Sequence, residues 1–254
     1  MIKQIFTYNA FDIPFLGKTY YGRKLLSYLR TYGCNYEFCR FYAINDDGVY
    51  AYMFQINSTL VICSEFPLPC EELSCYISLY RPYRVEAPFY IIDALNKVGI
   101  EGYKKLKRTC FEFKEHQQDN EFDVTAIDDK PDLQKVYQIL YESFPTMQDY
   151  GLWLTDTSRR VRRNISKVYT YKDCTTATVL FDVNNNVVIG QVATKTKFRG
   201  RKYARELLYW LCSKLKSEGK NVTLFALDYR ESFYQEIGFA ELSTENVLQQ
   251  IDEL

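Results

Sequence analysis

The hydrophobic and polar positions of the chain show a clear helical period in its second half. Apolar residues recur at the spacing i, i+3, i+4, i+7, i+8 and i+11, and they are Ala204, Leu207, Leu208, Leu211, Cys212 and Leu215. This spacing predicts a helix that begins near Gly200 and packs one face against a core. The apolar run over residues 187–194, which precedes this helix, is typical of a buried strand.

The same patterns predict a mixed α/β order over residues 122–254. Strands are predicted over residues 122–127, 168–171, 175–183, 187–194 and 221–227, and two further helices over residues 128–143 and 150–163. A short helix at Tyr234 and a closing strand complete the order β-α-α-β-β-β-α-β-α-β. Because the stretch Lys114–Glu121 (KEHQQDNE) is polar, we predict two domains, residues 1–114 and residues 122–254.

Residues 195–205 (KTKFRGRKYAR) join the predicted strand to the predicted helix and hold six cations and no carboxylate. A helix N-terminus leaves its first backbone N–H groups without partners and carries about half a positive charge, so an anion lying there satisfies both. Gly200 gives the backbone room for close approach, and Ala204 keeps the first turn slim. The segment therefore predicts a phosphate site, and the alternative is a solvated basic loop before an ordinary amphipathic helix.

Composition narrows the classes of partner. The 254-residue chain has 32 basic and 32 acidic residues, so no global positive field draws it to nucleic acid. No apolar stretch approaches the roughly 20 residues that cross a bilayer, and the N-terminal sequence lacks a signal-peptide pattern. We expect a cytoplasmic protein with no nucleic-acid partner and no membrane partner, and the sequence sets no oligomeric state.

The eight cysteines indicate neither a metal site nor a disulfide framework. They form no C-x-x-C pair, and the single histidine, His116, lies in a polar stretch. Cys63 and Cys212 lie in apolar patterns typical of core residues. We predict no metal.

Two segments carry a family resemblance. The segment Val192–Ala204 resembles the acetyl-CoA signature of the GNAT N-acetyltransferase superfamily, V-x-T followed by R/Q-x-x-G-x-G/A. The segment Phe233–Phe239 (FYQEIGF) resembles the F-Y-x-x-x-G-F of the same family, in family order and at family spacing. Lys202 departs from the pattern, because the family usually has a second glycine there. The usual Asn and Ala before the F-Y pair are here Leu227 and Arg230.

The resemblance implies a GNAT fold for residues 122–254, with acetyl-CoA as co-substrate. It implies that the backbone of the strand holding Val192 and Thr194 binds the pantetheine arm. It also implies a diphosphate-binding loop made of Arg199, Gly200, Arg201, Lys202, Tyr203 and Ala204. By carry-over from the F-Y position, Tyr234 would donate a proton to the departing thiolate. The implied reaction is direct attack on the thioester by a primary amine of a small molecule or peptide.

The sequence names neither a general base nor an acceptor. The strand before the loop has no carboxylate, and the acids that could act through water are Glu142, Asp149, Asp182 and Glu231, each of which is otherwise a surface acid. The cations Arg159, Arg160, Arg162 and Arg163 would favour an acidic acceptor or the cofactor 3′-phosphate, or they form a solvated helix end. The aromatic-rich segment 144–153 would shape an acceptor pocket or belong to the core.

The first half of the chain resembles a strongly diverged copy of the second half. Residues 94–100 (ALNKVGI) match the position of FYQEIGF, and Thr59–Cys63 matches the strand before the loop. Acids and prolines then replace Arg and Gly, so a copy of this kind would not bind the cofactor. We therefore expect a non-catalytic GNAT-like domain here, with a different α/β domain as the alternative.

Three functional classes follow from these patterns. The first is an acetyl-CoA-dependent N-acetyltransferase. The second is a tandem GNAT relative that moves an aminoacyl group from charged tRNA, which the even charge balance disfavours. The third is a non-catalytic acyl-CoA-binding protein, suggested by Lys202.

Overall fold

The computed structural model of the protein describes residues 1–46, 49–114, 122–144, 147, 149–226 and 230–251. The chain forms two compact units, Met1–Arg108 with Thr244–Leu254, and Thr109–Ser243. The predicted seam lies outside the described residues after Lys114, and the units divide earlier, between Arg108 and Thr109. The assignment of residues 1–114 as non-catalytic and residues 122–254 as catalytic stays a prediction.

The first half of the sequence alternates strands and helices in a definite order. The elements are β1 (Ile2–Ile5), α1 (Ile13–Lys18), α2 (Tyr20–Tyr32), β2 (Cys39–Asp46), β3 (Val49–Ile56), β4 (Thr59–Cys63), α3 (Cys70–Tyr80), β5 (Arg84–Glu86), α4 (Phe89–Val98) and β6 (Tyr103–Phe113). The acids Glu71 and Glu72 occupy the first turn of α3, where carboxylates favour the helix dipole.

The second half has the same order of elements. They are β7 (Ile127–Asp128), α5 (Leu133–Tyr141), α6 (Tyr150–Arg162), β8 (Lys167–Tyr171), β9 (Thr175–Val183), β10 (Asn186–Thr194), α7 (Tyr203–Ser217), β11 (Asn221–Ala226), α8 (Glu231–Gln235) and β12 (Phe239–Gln250). The predicted order is therefore confirmed here and recurs in the first half.

Three of the predicted element boundaries are wrong. The helix expected over residues 128–143 is α5 (Leu133–Tyr141), and it begins after Asp132, whose carboxylate caps it by accepting the Gln134 N–H at 2.9 Å. The strand expected over residues 122–127 is a 3₁₀ turn at Val124–Ala126 followed by the two-residue strand β7. The Asp123 carboxylate accepts the Thr125 N–H at 3.1 Å, and this local bond offers the backbone an alternative to a sheet ladder. Helix α7 begins at Tyr203 rather than near Gly200, because Gly200 (φ 79°) and Lys202 (φ 64°) are left-handed and cannot belong to the helix.

Each unit takes a strand from the other half of the sequence. In the first unit the strands β1 to β4 pair antiparallel in chain order, and β4 then pairs parallel with β5. On its other side β5 (Arg84–Glu86) pairs antiparallel with residues 247–249 of β12. In the second unit β7 to β10 pair antiparallel in order, β10 pairs parallel with β11, and β11 pairs with residues 109–112 of β6. The last strands of the two copies are thus exchanged.

Buried charges accompany the exchanged strand in the first unit. Glu245 of β12 accepts from the Tyr21 hydroxyl at 2.9 Å and from the Arg108 guanidinium at 3.2 Å. Glu86 of β5 pairs with Lys24 at 2.7 Å. Burial alone would raise the pKa of Glu86, but the charges of Lys24 and Arg108 lower it to about 2, so the carboxylate stays ionised.

The predicted apolar stripe of α7 is the centre of the second unit's core. Leu207, Leu208, Leu211 and Cys212 are fully buried, and they pack with strand residues that include Val187, Ile189, Val222 and Leu224. Full burial of each leucine contributes about 1.5–3 kcal/mol. This packing fixes the start of α7 relative to the end of β10.

The eight cysteines are all free, and six of them are buried, as small apolar residues are. No group of acids, cysteines and histidine that would hold a metal occurs in the described part of the chain. Among the described helices, none is long and apolar enough to cross a bilayer.

The exchange of β12 makes a stability prediction that one strand can test. Leu248 is 1% exposed in the first unit's core, whereas Leu242 of the same strand is 57% exposed. Leu248→Ala should lower the free energy of unfolding by about 2–5 kcal/mol, because it leaves a cavity. Leu242→Ala should change it by no more than about 0.5 kcal/mol. Chemical denaturation with hydrogen exchange at β4 and β5 measures both, and equal effects would contradict the exchange.

Candidate functional site

Strands β10 and β11 separate part of the way along their length. Their parallel pairing runs from Asn186/Asn221 to Ile189/Leu224 and stops, although β10 continues to Thr194 and β11 to Ala226. The cause is a distortion in β10. Its register against β9 shifts between Val188 and Ile189 and again between Gly190 and Ala193, and Gln191 is left-handed (φ 52°). The sheet therefore has an opening where backbone groups of β10 and β11 do not pair with each other.

A small pocket of about 200 Å³ lies at this opening. Its described lining residues are Phe144, Ile189, Gly190, Gln191, Val192, Leu224, Phe225, Ala226, Arg230 and Tyr234. A Cβ atom at Gly190 would lie 2.7 Å from Leu180 Cδ1, so a larger residue here would require the Leu180 side chain to move.

A larger cleft of about 600 Å³ runs from the opening to the start of α7. It brings together all the site residues that the sequence predicts, namely Val192, Thr194, Arg199, Gly200, Arg201, Lys202, Tyr203, Ala204 and Tyr234. Val192, Arg230 and Tyr234 line both cavities, so the two are neighbours.

The loop between β10 and α7 presents backbone N–H groups to the cleft. A 3₁₀ turn at Thr196–Phe198 is followed by left-handed Gly200 and by left-handed Lys202, which is the N-cap of α7 and makes no side-chain cap. The helix dipole and the first-turn N–H groups therefore point to residues that line the cleft. The left-handed backbone also explains the usual glycine of the signature, because a non-glycine residue costs roughly 1–2 kcal/mol in this conformation.

Side-chain hydrogen bonds hold the loop in place. The Glu142 carboxylate accepts the Thr196 N–H at 2.7 Å, and this bond lowers the pKa of Glu142. Arg199 donates to the Thr194 carbonyl at 3.1 Å and to Ser143 Oγ at 3.0 Å. The Arg199 guanidinium thus holds the loop in place. The residue also lines the cleft, to which it contributes its backbone and its positive charge.

Lys172 is a loop neighbour that the sequence reasoning missed. Its ammonium lies 4.7 Å from the Tyr203 ring centroid and 4.9 Å from that of Tyr171. A hydrogen bond with the Tyr171 hydroxyl is the main cause that raises the pKa of Lys172. The only sequence signal is the Lys-Asp turn before β9, where both residues have positive φ.

Tyr234 is 5% exposed and belongs to the five-residue helix α8. Its ring packs against Phe111, Phe233 and Phe239 at centroid distances of 6.0, 5.2 and 5.9 Å. These contacts fix the ring where it lines both cavities.

The acids named as bases all have structural partners. Asp149 caps α6 by accepting the Gly151 N–H at 2.8 Å, and Asp182 pairs with Lys220 at 2.8 Å. Glu231 accepts from the Thr109 hydroxyl at 2.7 Å. Together with Glu142, none of them lines either cavity in the described part of the chain.

The arginines at the end of α6 are not brought to the described lining of either cavity. Arg160 is 5% exposed and donates to the Leu180 carbonyl at 2.7 Å, so it joins α6 to β9. Arg162 and Arg163 are exposed. In the aromatic-rich segment, Phe144 lines the small pocket and Trp153 is core, while residues 145, 146 and 148 lie outside the described residues.

Comparisons with known proteins agree with this geometry. Residues 133–239 match the family model described as acetyltransferase (GNAT) family. These residues have the GNAT fold. The match indicates acyl transfer in general, and a search of curated proteins gives no match for the chain.

Solved structures with the GNAT fold cover both halves. A GCN5-related N-acetyltransferase from Sphaerobacter thermophilus is 15% identical, covers 98% of this chain and 96% of its own, and has a TM-score of 0.61. A GNAT acetyltransferase from Colwellia psychrerythraea is 14% identical, and the match covers 98% of this chain and 99% of that chain, with a TM-score of 0.56. A Drosophila protein is 12% identical, and the match covers 100% of this chain and 99% of that chain, with a TM-score of 0.62. These likenesses confirm the predicted fold class, including the GNAT-like first half.

The hydrogen bond from the Thr196 N–H to the Glu142 carboxylate predicts a pH-dependent loss of stability. The pKa of Glu142 is lowered in the folded protein, so its stabilising contribution is present above the ordinary carboxyl pKa of about 4.3. It is lost as the pH falls through the lowered folded value. Glu142→Gln should therefore lower Tm at pH 7, and the difference from the wild type should shrink at acid pH.

Thermal unfolding from pH 7 to pH 3 measures this difference. Glu101→Gln, at an exposed turn residue, is the matched control and should give no such pattern. A difference for Glu142→Gln that is constant over this range would contradict the assigned role of its carboxylate.

Proposed function

We propose that the protein is an acetyl-CoA-dependent N-acetyltransferase that acts on a primary amine of a small molecule or peptide. The observation that carries this proposal is the single cleft that runs from the N-terminus of α7 to the opening between β10 and β11. One end of the cleft suits a diphosphate and the other suits a thioester. The family match of residues 133–239 supports the same class of chemistry.

The loop end of the cleft would hold the diphosphate of CoA. Backbone N–H groups of residues 200–204, the α7 dipole and the cations Arg201 and Lys202 all favour a bound anion. The Glu142 and Arg199 contacts hold this loop before any ligand binds, which reduces the ordering cost of binding.

The strand end of the cleft would align the pantetheine arm. Along Val192–Thr194 the edge of β10 does not pair with β11. Its backbone groups, apart from the Thr194 carbonyl that accepts from Arg199, are available to an extended ligand as an added strand would use them. The reacting carbonyl carbon would then lie beside Tyr234, at the boundary of the two cavities.

The chemistry follows from this placement. A neutral amine nitrogen forms a bond to the thioester carbonyl carbon, the carbon–sulfur bond breaks, and the thiolate takes a proton from the Tyr234 hydroxyl. The amine loses its own proton to water, because the four candidate acids are held by structural partners. The first unit would serve as a scaffold, since Glu71 and Glu72 occupy the place where a phosphate would bind in an active copy.

Calorimetry with CoA tests the binding part of the proposal. We expect saturable heat with the wild-type protein, and the absence of heat at millimolar ligand would overturn both the enzyme and the acyl-CoA-binding alternative.

The variants Lys202→Gly and Lys202→Ala separate the effect of backbone conformation from the effect of charge on stability. Both remove the cation, but only glycine relieves the left-handed backbone, so only Lys202→Gly should raise stability, by about 1 kcal/mol. Equal stability of the two variants would contradict this account of the loop.

Thiol release with an amine panel tests the catalytic part. Tyr234→Phe keeps the ring contacts and removes the hydroxyl, so it should lower kcat about 10²- to 10⁴-fold with little change in the Kd for acetyl-CoA. Tyr141→Phe, which removes an exposed hydroxyl outside the described lining of both cavities, is the control and should leave kcat unchanged. Unchanged turnover in Tyr234→Phe would reject the role of Tyr234, and binding without turnover on any amine would favour the non-catalytic alternative.

A further inference from the structure

The small pocket at the opening of the sheet adjoins the place where the reacting carbonyl is proposed to lie. Val192, Arg230 and Tyr234 line both this pocket and the larger cleft. With the pantetheine arm along Val192–Thr194 and the carbonyl carbon beside Tyr234, the cleft holds the CoA side of the thioester. The small pocket is the described cavity that adjoins this point outside the cleft, so it is the space available to the acyl side.

The wall of the small pocket is mostly apolar. Ile189, Leu224 and Ala226 line it and belong to the hydrophobic cluster around α7. Phe144 lines it from the other cluster, which α5 and α6 form with the sheet. Most of the accessible surface of the wall is apolar, and the apolar share is larger than in the cleft. A wall of this kind favours a ligand group that loses by contact with water.

The polar residues of the lining do not change this character. Gln191 Oε1 is screened from solvent, so it offers no accessible acceptor to a ligand. The Arg230 guanidinium carbon lies 5.7 Å from the Phe144 ring centroid, which is a cation–π distance. The alkyl stem of an arginine in such a position adds apolar surface to the wall.

An acetyl group would use a small part of this space. The pocket volume is about 200 Å³, whereas a water molecule takes about 30 Å³ of the liquid and a methyl or methylene group is of similar size. Acetyl has one carbon beyond the carbonyl, so most of the pocket would keep water against an apolar wall. A chain with roughly three to five carbons beyond the carbonyl would fill it.

We propose that the small pocket is an acyl-chain site and that the preferred donor is a short-chain acyl-CoA, from butyryl to hexanoyl, rather than acetyl-CoA. This inference rests on the proposed function, because it uses the carbonyl position beside Tyr234. The step keeps its balance. The amine nitrogen forms a bond to the acyl carbonyl carbon and the carbon–sulfur bond breaks. The amine proton passes to water, and the thiolate takes the Tyr234 proton.

Calorimetry with a series of donors tests the pocket. The ligands are CoA and its acetyl, propionyl, butyryl, hexanoyl, octanoyl and dodecanoyl thioesters. We expect Kd to fall about fourfold for each carbon added from acetyl to hexanoyl, because each added methylene leaves water. The gain should end by octanoyl, when the pocket is full. Equal Kd values from acetyl to hexanoyl would overturn the inference. A gain that continues through dodecanoyl would overturn it too, since adsorption has no such limit.

Two variants change the pocket volume in opposite directions. Ala226→Leu adds bulk to the wall and should remove the gain beyond propionyl. Phe144→Ala, at a half-buried residue, enlarges the pocket and should extend the gain to octanoyl. Ala240→Leu, the same change as the first at an exposed position of β12, is the matched control and should leave the dependence on chain length unchanged. Ligands are compared within each variant, so a loss of folded protein does not imitate the effect. An unchanged dependence in both pocket variants would contradict the assignment.

Thiol release with the amine panel distinguishes failure of the inference from failure of the proposed function. We expect kcat/KM for butyryl-CoA to exceed that for acetyl-CoA by at least about tenfold. CoA binding with turnover that is highest for acetyl-CoA would overturn the inference and leave acetyl transfer standing. A chain-length gain in Kd without turnover on any amine would support the pocket and favour the non-catalytic acyl-CoA-binding alternative. If CoA does not bind, both proposals fall.

Discussion

The candidate site depends on one backbone distortion in β10. Gly190 passes close to the end of the Leu180 side chain, and Gln191 takes a left-handed conformation. The strand then loses register with β9 and ends its pairing with β11 at Ile189. Both cavities, and the stretch Val192–Thr194 that β11 does not pair with, follow from this local irregularity. A regular β10 would close the sheet at the place where the chemistry is proposed.

A second constraint acts on the loop between β10 and α7. Its conformation is held by the side chain of Glu142, the C-cap residue of α5, and by that of Arg199 in the loop itself. The Glu142 carboxylate accepts the Thr196 N–H, and the Arg199 guanidinium donates to the Thr194 carbonyl. The N–H groups of the first turn of α7 are then presented without any change of conformation. Preorganised donors of this kind bind an anion at a lower cost than donors that must first be assembled.

Much of the second half was predictable because its signals are local. The apolar stripe of α7, the cationic loop and the F-Y segment each depend on residues close together in sequence. The structure brings the loop and the F-Y segment to one cleft, and it buries the stripe in the core. The features that sequence reasoning missed depend on three-dimensional context. The turn at Asp123 replaces a strand through one side-chain bond, and the left-handed Lys202 is a strained residue that no propensity favours. Arg230 was noted only as a departure from a motif, yet it lines both cavities.

The exchange of β6 and β12 has a consequence for biosynthesis. Strand β5 receives its antiparallel neighbour from residues 247–249, which leave the ribosome long after Glu86 has been translated. At about 5–20 residues per second, the intervening chain takes roughly 10 to 30 s to synthesise. During that interval the nascent first unit carries an open sheet edge and an ionised Glu86, and it is vulnerable to aggregation and proteolysis. Translation pausing before β12, or premature termination after β11, would therefore harm the half of the protein that was made first.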